Sequence, residues 1–157
     1  SGVATRVPRM FGFQAASSAP LVRGEVVKNP DTIASAIRIG NPASWDLALE
    51  AREATDGWFG AIDDDRILAA QKLLAGEVGI FVEPASAISV AGLLDRAEKG
   101  IIPAGSRVVL TVTGQGLKDP QWALRNADGS QVEPTVVDAA TSEVASVLDL
   151  VPVEAPS

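Results

Sequence analysis

The sequence predicts an α/β fold built on a parallel sheet, and three observations carry that prediction. Short apolar runs that read as strands alternate with stretches whose apolar residues recur at helical spacing. The run Val78–Val82, the helical stretch after it and the run Arg107–Val112 have the spacing of a βαβ unit, whose strands must be parallel. Aromatic residues make up only 4% of the chain and Tyr is absent, so the core must come from Ala, Val, Ile and Leu. Such a core suits helices laid on a sheet better than a small β-sandwich.

The elements follow in order. Arg9 to Gln14, with Met10, Phe11 and Phe13, reads as a short strand. Gly24 to Lys28 reads as a turn and a short extended piece. Asn29-Pro30-Asp31 offers a helix start, with Asn29 or Asp31 as N-cap, and Gly40-Asn41-Pro42 the stop, because a residue before Pro is pushed out of the helical region. Ser44 is placed to cap a helix from Trp45 to about Thr55, closed by Asp56-Gly57. Trp58 to Ile62 is strand-like. The acids Asp63, Asp64 and Asp65 then open a helix carrying Ile67, Ala70, Leu74 and Val78 at helical spacing. Val78-Gly79-Ile80-Phe81-Val82 reads as a strand buried on both faces. Pro84 suits the first turn of the next helix, which presents Ala87, Val90, Ala91, Leu94 and Ala97 and stops at Gly100. Arg107 to Val112 reads as a second buried strand, Asn126 to Pro134 as a loop, and Ala139 to Leu148 as a last amphipathic helix.

With 157 residues, 46% of them hydrophobic and 21% charged, the chain has room for about one globular domain. It contains neither His nor Cys. Within this chain that excludes imidazole and thiolate zinc sites, Ser–His–Asp and Cys–His nucleophiles, and disulfides. The net charge of −7 is unevenly placed: from Asp128 onward there are six acids and no Lys or Arg. An acidic end argues against a nucleic-acid partner, which needs a cationic footprint. No apolar run is long enough to span a membrane and no signal-peptide pattern opens the chain, so the expected compartment is the cytoplasm.

In open α/β sheets ligands sit beyond the carboxyl ends of the strands. Two predicted strands end in unusual residues there. One delivers Glu83-Pro84-Ala85-Ser86 into a helix N-terminus, and the other delivers Thr113-Gly114-Gln115-Gly116-Leu117-Lys118-Asp119. If the two strands are neighbours, Glu83 and Thr113 share a site. Plainer roles exist for each. Glu83 can cap its helix, Gly-Gln-Gly can be only a turn, and the three aspartates at 63–65 suit the helix dipole better than a metal. Asp119 stands where a dinucleotide fingerprint needs its third Gly. Of the four lysines, only Lys118 lies near this crevice.

At four phrases the chain resembles the second half of the threonine synthase family, pyridoxal-phosphate enzymes of fold type II, the tryptophan-synthase-β-like fold. They are Pro8-Arg9-Met10-Phe11-Gly12-Phe13-Gln14-Ala15-Ala16, Ala36-Ile37-Arg38-Ile39-Gly40-Asn41-Pro42-Ala43-Ser44-Trp45, Phe81-Val82-Glu83-Pro84-Ala85-Ser86-Ala87 and Thr113-Gly114 with Gly116-Leu117-Lys118-Asp119-Pro120. The resemblance covers roughly residues 3 to 125; Gln115 stands where the family usually has His or Asn, and Ser17-Ser18 replace a Gly-Ala pair.

The resemblance implies the C-terminal portion of a three-layer α/β domain with a mostly parallel sheet. Residues 1–127 are then the C-terminal half of the catalytic domain, with the N-terminal half absent, and residues 128–157 an acidic tail with a short helix. It implies pyridoxal 5'-phosphate as cofactor and a lyase that converts O-phospho-L-homoserine and water to L-threonine and phosphate. The cofactor-binding residues are expected to be Thr113, Gly114, Glu83, Ile39 and Gly40, with the Thr113 hydroxyl on the pyridine nitrogen. No catalytic residue is expected within the chain: none of the four lysines has the context of the family's Schiff-base lysine, which is expected upstream of Ser1 with the loop that holds the cofactor phosphate. The expected partners are that N-terminal half and a second copy in a homodimer, with no membrane or nucleic acid. Alone, the chain is expected to be inactive and prone to aggregate. Two alternatives remain: a threonine or serine dehydratase, and a non-catalytic binding module that retains the fold.

Overall fold

The two aromatic-rich segments Phe11–Ala15 (β1) and Trp58–Ile62 (β2) pair as parallel strands whose far ends, Ala15 and Ile62, are buried. The register sets Phe11 against Trp58 and Ala15 against Ile62. The computed structural model describes residues 2, 4–125 and 130–150. The chain divides into two units, residues 1–123 and 124–157.

The first unit carries the sheet and most of the helices. A one-turn helix, Pro20–Arg23 (α1), follows β1 just ahead of the turn expected at Gly24, with Pro at its start and Gly24 in the left-handed region closing it. The helix expected after Asp31 shrinks to a single 3₁₀ turn, Ser35–Ile37. Its backbone is held instead by side chains. Thr32 Oγ1 donates to Asp64 at 2.5 Å, Asp64 also accepts from the Ile33 N–H at 3.1 Å, and Ser35 Oγ donates to the buried Asp119 at 2.9 Å. Trp45–Ala54 (α2) matches its prediction to one residue, but the Ser44 side chain makes no capping bond.

Asp64–Leu73 (α3) starts as predicted, with Asp63 accepting from the Arg66 N–H at 2.9 Å. Ile67, Ala70 and Leu74 are buried, whereas Val78 is 56% exposed. Pro84–Glu98 (α4) packs alongside α3 and buries Ala87, Val90 and Ala91 as expected, while Leu94 and Ala97 face outward. These residues, with Ala15, Ala34, Ile62 and Val82, form the core, and Phe13, Ile37 and Leu110 pack against it.

Two expected strands are corrected. Residues 74–78 are taken up by a π-helical turn that continues α3, and Gly79 ends it in the left-handed region, so the strand at 78–82 is reduced to Val82 in a single antiparallel bridge with Gln115. Arg107–Val112 joins no ladder among the described residues, and it is not buried: Val109 is 92% exposed and Val108 47%. A strand buried on both faces needs neighbours on both sides, and the apolar sequence encodes that environment whether or not the neighbours belong to the same chain. What holds this segment here is α4: Ser89 Oγ donates to the Thr111 carbonyl at 3.3 Å.

Pro120–Ala123 (α5) ends the first unit; in the second, Arg125 bridges Gln131, and Thr141–Val147 (α6) is the last helix among the described residues, within the predicted Ala139–Leu148. Part of the predicted loop at 126–134 lies outside the described residues. No helix among those described is long and apolar enough to cross a membrane.

Candidate functional site at the start of helix α4

Pro84 fixes the first turn of α4, and Glu83 just before it is in the extended region, as a residue preceding Pro should be. The Glu83 carbonyl accepts from the N–H groups of Ser86 at 3.0 Å and Ala87 at 3.2 Å, which satisfies part of the helix start through the backbone. Gln71 of α3, itself buried, donates from Nε2 to the Val82 carbonyl at 2.7 Å and pins the approach to this corner. Two further bonds tie the corner to the glycine-rich loop: Glu83 N–H to the Gly114 carbonyl at 3.0 Å and Gly116 N–H to the Phe81 carbonyl at 3.3 Å. Glu83, Thr113 and Gly114 therefore come together as the sequence predicts, although a full strand pairing does not form.

The Glu83 side chain is not a helix cap. Only 2% of the residue is exposed, and it makes no capping bond. Its carboxylate lies over Gly114, where a Cβ would collide with it. Lys118 Nζ reaches within 2.9 Å of Oε2, yet Oε2 has no aligned hydrogen bond, so the contact is an ion pair held by charge. The paired lysine is more than half exposed while the acid is buried, so the positive end is hydrated and the negative end is not.

Thr113 is exposed, and α4 holds it from behind. The Thr113 N–H donates to Ser86 Oγ at 2.6 Å, and the two hydroxyl oxygens are 2.8 Å apart. Ser86 is 2% exposed. The two other expected residues lie on a different stretch of the unit. Ile39 is half exposed and lines an apolar groove of about 240 Å³ along β1, with Phe13, Leu21, Ile37 and Phe59. Gly40 packs where a Cβ would strike the Val27 carbonyl, and its own carbonyl accepts from the Val27 N–H at 2.9 Å. No hydrogen bond or ion pair described here joins Ile39 or Gly40 to the Glu83–Thr113 corner. Arg38 makes no surface ion pair; it donates to the Thr32 carbonyl from Nε at 2.9 Å.

The sequence reading did not find the roles of Ser86, Gln71 or the Lys118–Glu83 pair. The signal for Ser86 was its place in the first turn after Pro84, a hydroxyl aimed back along the helix toward whatever packs on its start. For Lys118 the signal was its place as the only one of the four lysines near the crevice.

A pyridine ring fits these residues at one point. The exposed Thr113 hydroxyl is held in place by a buried neighbour and still faces outward. The space over Gly114 is taken by the Glu83 carboxylate. No donor set for a metal is assembled among the described residues.

Comparisons agree with this chemistry. The family model described as pyridoxal-phosphate dependent enzyme matches residues 2–114. The threonine synthase of Mycobacterium leprae is 55% identical over 138 residues, 88% of this chain and 38% of that protein. The threonine synthase of Synechocystis sp. is 52% identical over 132 residues, 84% of this chain and 34% of that protein. The chain thus spans well under half the length of the curated relatives it matches. Among solved structures, a fungal L-serine ammonia-lyase from Rhizomucor miehei superposes with a TM-score of 0.53 at 20% identity, covering 72% of this chain and 39% of that one, a likeness of fold.

Proposed function

Because the chain belongs to the family of pyridoxal-phosphate dependent enzymes, we propose that it works as the C-terminal part of a threonine synthase, a lyase that turns O-phospho-L-homoserine and water into L-threonine and phosphate. The observation that carries the reading is the Thr113 hydroxyl, exposed at the end of an apolar segment and anchored on the buried Ser86. The cofactor, when bound, supplies the electron sink for the carbanions of such a reaction.

This chain's residues would do three things. Thr113 donates a hydrogen bond to the ring nitrogen and so favours a neutral ring, a weaker sink that restrains side reactions such as transamination. Gly114 leaves room for the buried Glu83 carboxylate, whose charge Lys118 balances, and the two would flank the ring. Ile39 and Gly40 border the cofactor from the groove side. The lysine that carries the cofactor and the phosphate-binding loop would come from the part of the enzyme that this chain, 38% of the length of a relative, does not span. The exposed valines of 107–112 are where strands from that portion complete the sheet. The assembled enzyme is a cytoplasmic homodimer.

The full-length enzyme tests this. With O-phosphohomoserine it should release inorganic phosphate and threonine; formation of a 2-oxo acid instead would make it a dehydratase. Thr113→Val should lower turnover about 10- to 100-fold, the worth of one strong hydrogen bond, with the fold retained. Unchanged turnover would leave a binding module that merely keeps the fold. The 157-residue chain by itself should bind no cofactor that borohydride can fix to a lysine.

A further inference from the structure

We propose that Ser86 is a positioning residue that fixes the direction in which the Thr113 hydroxyl donates. The inference rests on the reading of Thr113 as the partner of the cofactor's ring nitrogen. It comes from counting protons and lone pairs at two oxygens 2.8 Å apart.

A serine hydroxyl has one proton and two lone pairs. One lone pair of Ser86 Oγ is taken by the Thr113 N–H at 2.6 Å. If Thr113 also donated its hydroxyl proton to Ser86, both lone pairs would be filled and the Ser86 proton would need another acceptor. The described hydrogen bonds offer it none, and the residue is buried. A buried donor left unmade is costly. If Ser86 donates to Thr113 instead, its valences at these contacts are used and the Thr113 proton is left to point outward. The exposed partner can give its proton to water or to a ligand, whereas the buried one cannot.

The backbone supports the same polarity. The Ser86 N–H is spent on the Glu83 carbonyl at 3.0 Å, in the first turn of a 15-residue helix, so the serine cannot slide. Thr113 is then gripped at two points by one oxygen, its N–H donating and its Oγ1 accepting. The site therefore presents a proton and is matched to a bare ring nitrogen.

The test uses the full-length enzyme reconstituted with pyridoxal phosphate labelled with ¹⁵N in the ring. The ring ¹⁵N shift reports donation to that nitrogen, and equilibrium dialysis gives the cofactor Kd. Thr113→Val should move the shift to the unbonded value. Ser86→Ala should move it part of the way in the same direction and raise Kd about 3- to 10-fold, and Ser86→Thr should restore both. Should Ser86→Ala fail to fold, Ser86→Cys, close in size with a weak S–H donor, is read in its place. If Thr113→Val moves the shift while the Ser86 variants do not, the role of Ser86 is overturned and the reading of Thr113 stands. If neither moves it, both fall.

Discussion

Adding one methyl group at Gly114 tests the geometry of the site most directly. Gly114 is not among the glycines in the left-handed region, so Gly114→Ala introduces no backbone strain, and its whole effect must come from the atoms it meets. Those atoms are the carboxylate of Glu83. To make room, that carboxylate must leave a buried position and give up Lys118 at 2.9 Å. Charge-assisted contacts are worth about 1.5–3 kcal/mol. Lys118 is more than half exposed and regains water when released, which places the cost near the lower end, at about 1.5–2 kcal/mol. In a domain of about 150–250 residues each kcal/mol lowers Tm by about 2–4 °C, so the expected fall is several degrees. The decisive measurement is a double-mutant cycle in the full-length enzyme. Glu83→Ala empties the space, and in that background Gly114→Ala should cost less than about 0.5 kcal/mol. A cost that is undiminished in the double mutant would show that something other than Glu83 fills the space over Gly114, and the description of the corner would be wrong.

Three other outcomes follow from the packing and the charges. Ile67→Ala removes a fully buried side chain between α3 and the rest of the core and should cost about 2–5 kcal/mol, seen as a large loss of Tm. Gly40→Ala drives a methyl group into the backbone carbonyl of Val27, which cannot swing aside as a side chain does; it should lower Tm and weaken cofactor binding together, whereas an unchanged Kd would separate Gly40 from the site. The hydrogen bond from Lys99 at 2.8 Å, with the charges of Lys99 and Arg66 beside it, holds the Asp95 carboxyl below its ordinary range against the opposing effect of burial. A depressed folded value means the stabilisation is fully present above the unfolded value of about 3.9 and is lost as pH falls through the lower folded value. Asp95→Asn should therefore destabilise by about 1 kcal/mol at neutral pH, and the gap to the parent should close in acid below about pH 4.

Local physics was legible where it acts within a few residues. Trp58–Ile62 forms a strand as predicted, Asp63 caps α3, and Pro84 opens α4, because strand-prone residues, a cap and a fixed φ are written in adjacent residues. The helix expected after Asp31 failed for a non-local reason. Its backbone groups bond to Asp64, 31 residues on, and its serine to Asp119, 84 residues on; no window around Asp31 contains either partner. At the site, the meeting of Glu83 with Thr113 and Gly114 was legible because the predicted βαβ unit put both loops at one end, although neither of its strands forms within this chain. The manner of meeting was not: the pairing is a single bridge and two backbone bonds, and α4 side chains supply the rest.

The misread strands explain the fold as a whole. Val78–Val82 and Arg107–Val112 are apolar enough for positions covered on both faces, yet within this chain one begins in a helical turn and the other leaves Val108 and Val109 in solvent. A segment of β-branched residues is stable in the open only if its composition answers to contacts made elsewhere, because unpaired N–H and C=O groups beside exposed valines invite another strand. The chain spans only 38% of the length of its relatives, which agrees with those contacts lying in the remaining polypeptide. On that view Glu83, Ser86 and Thr113 are already fixed by bonds among themselves and α4, and the sheet that will cover the neighbouring valines is what is still to be added.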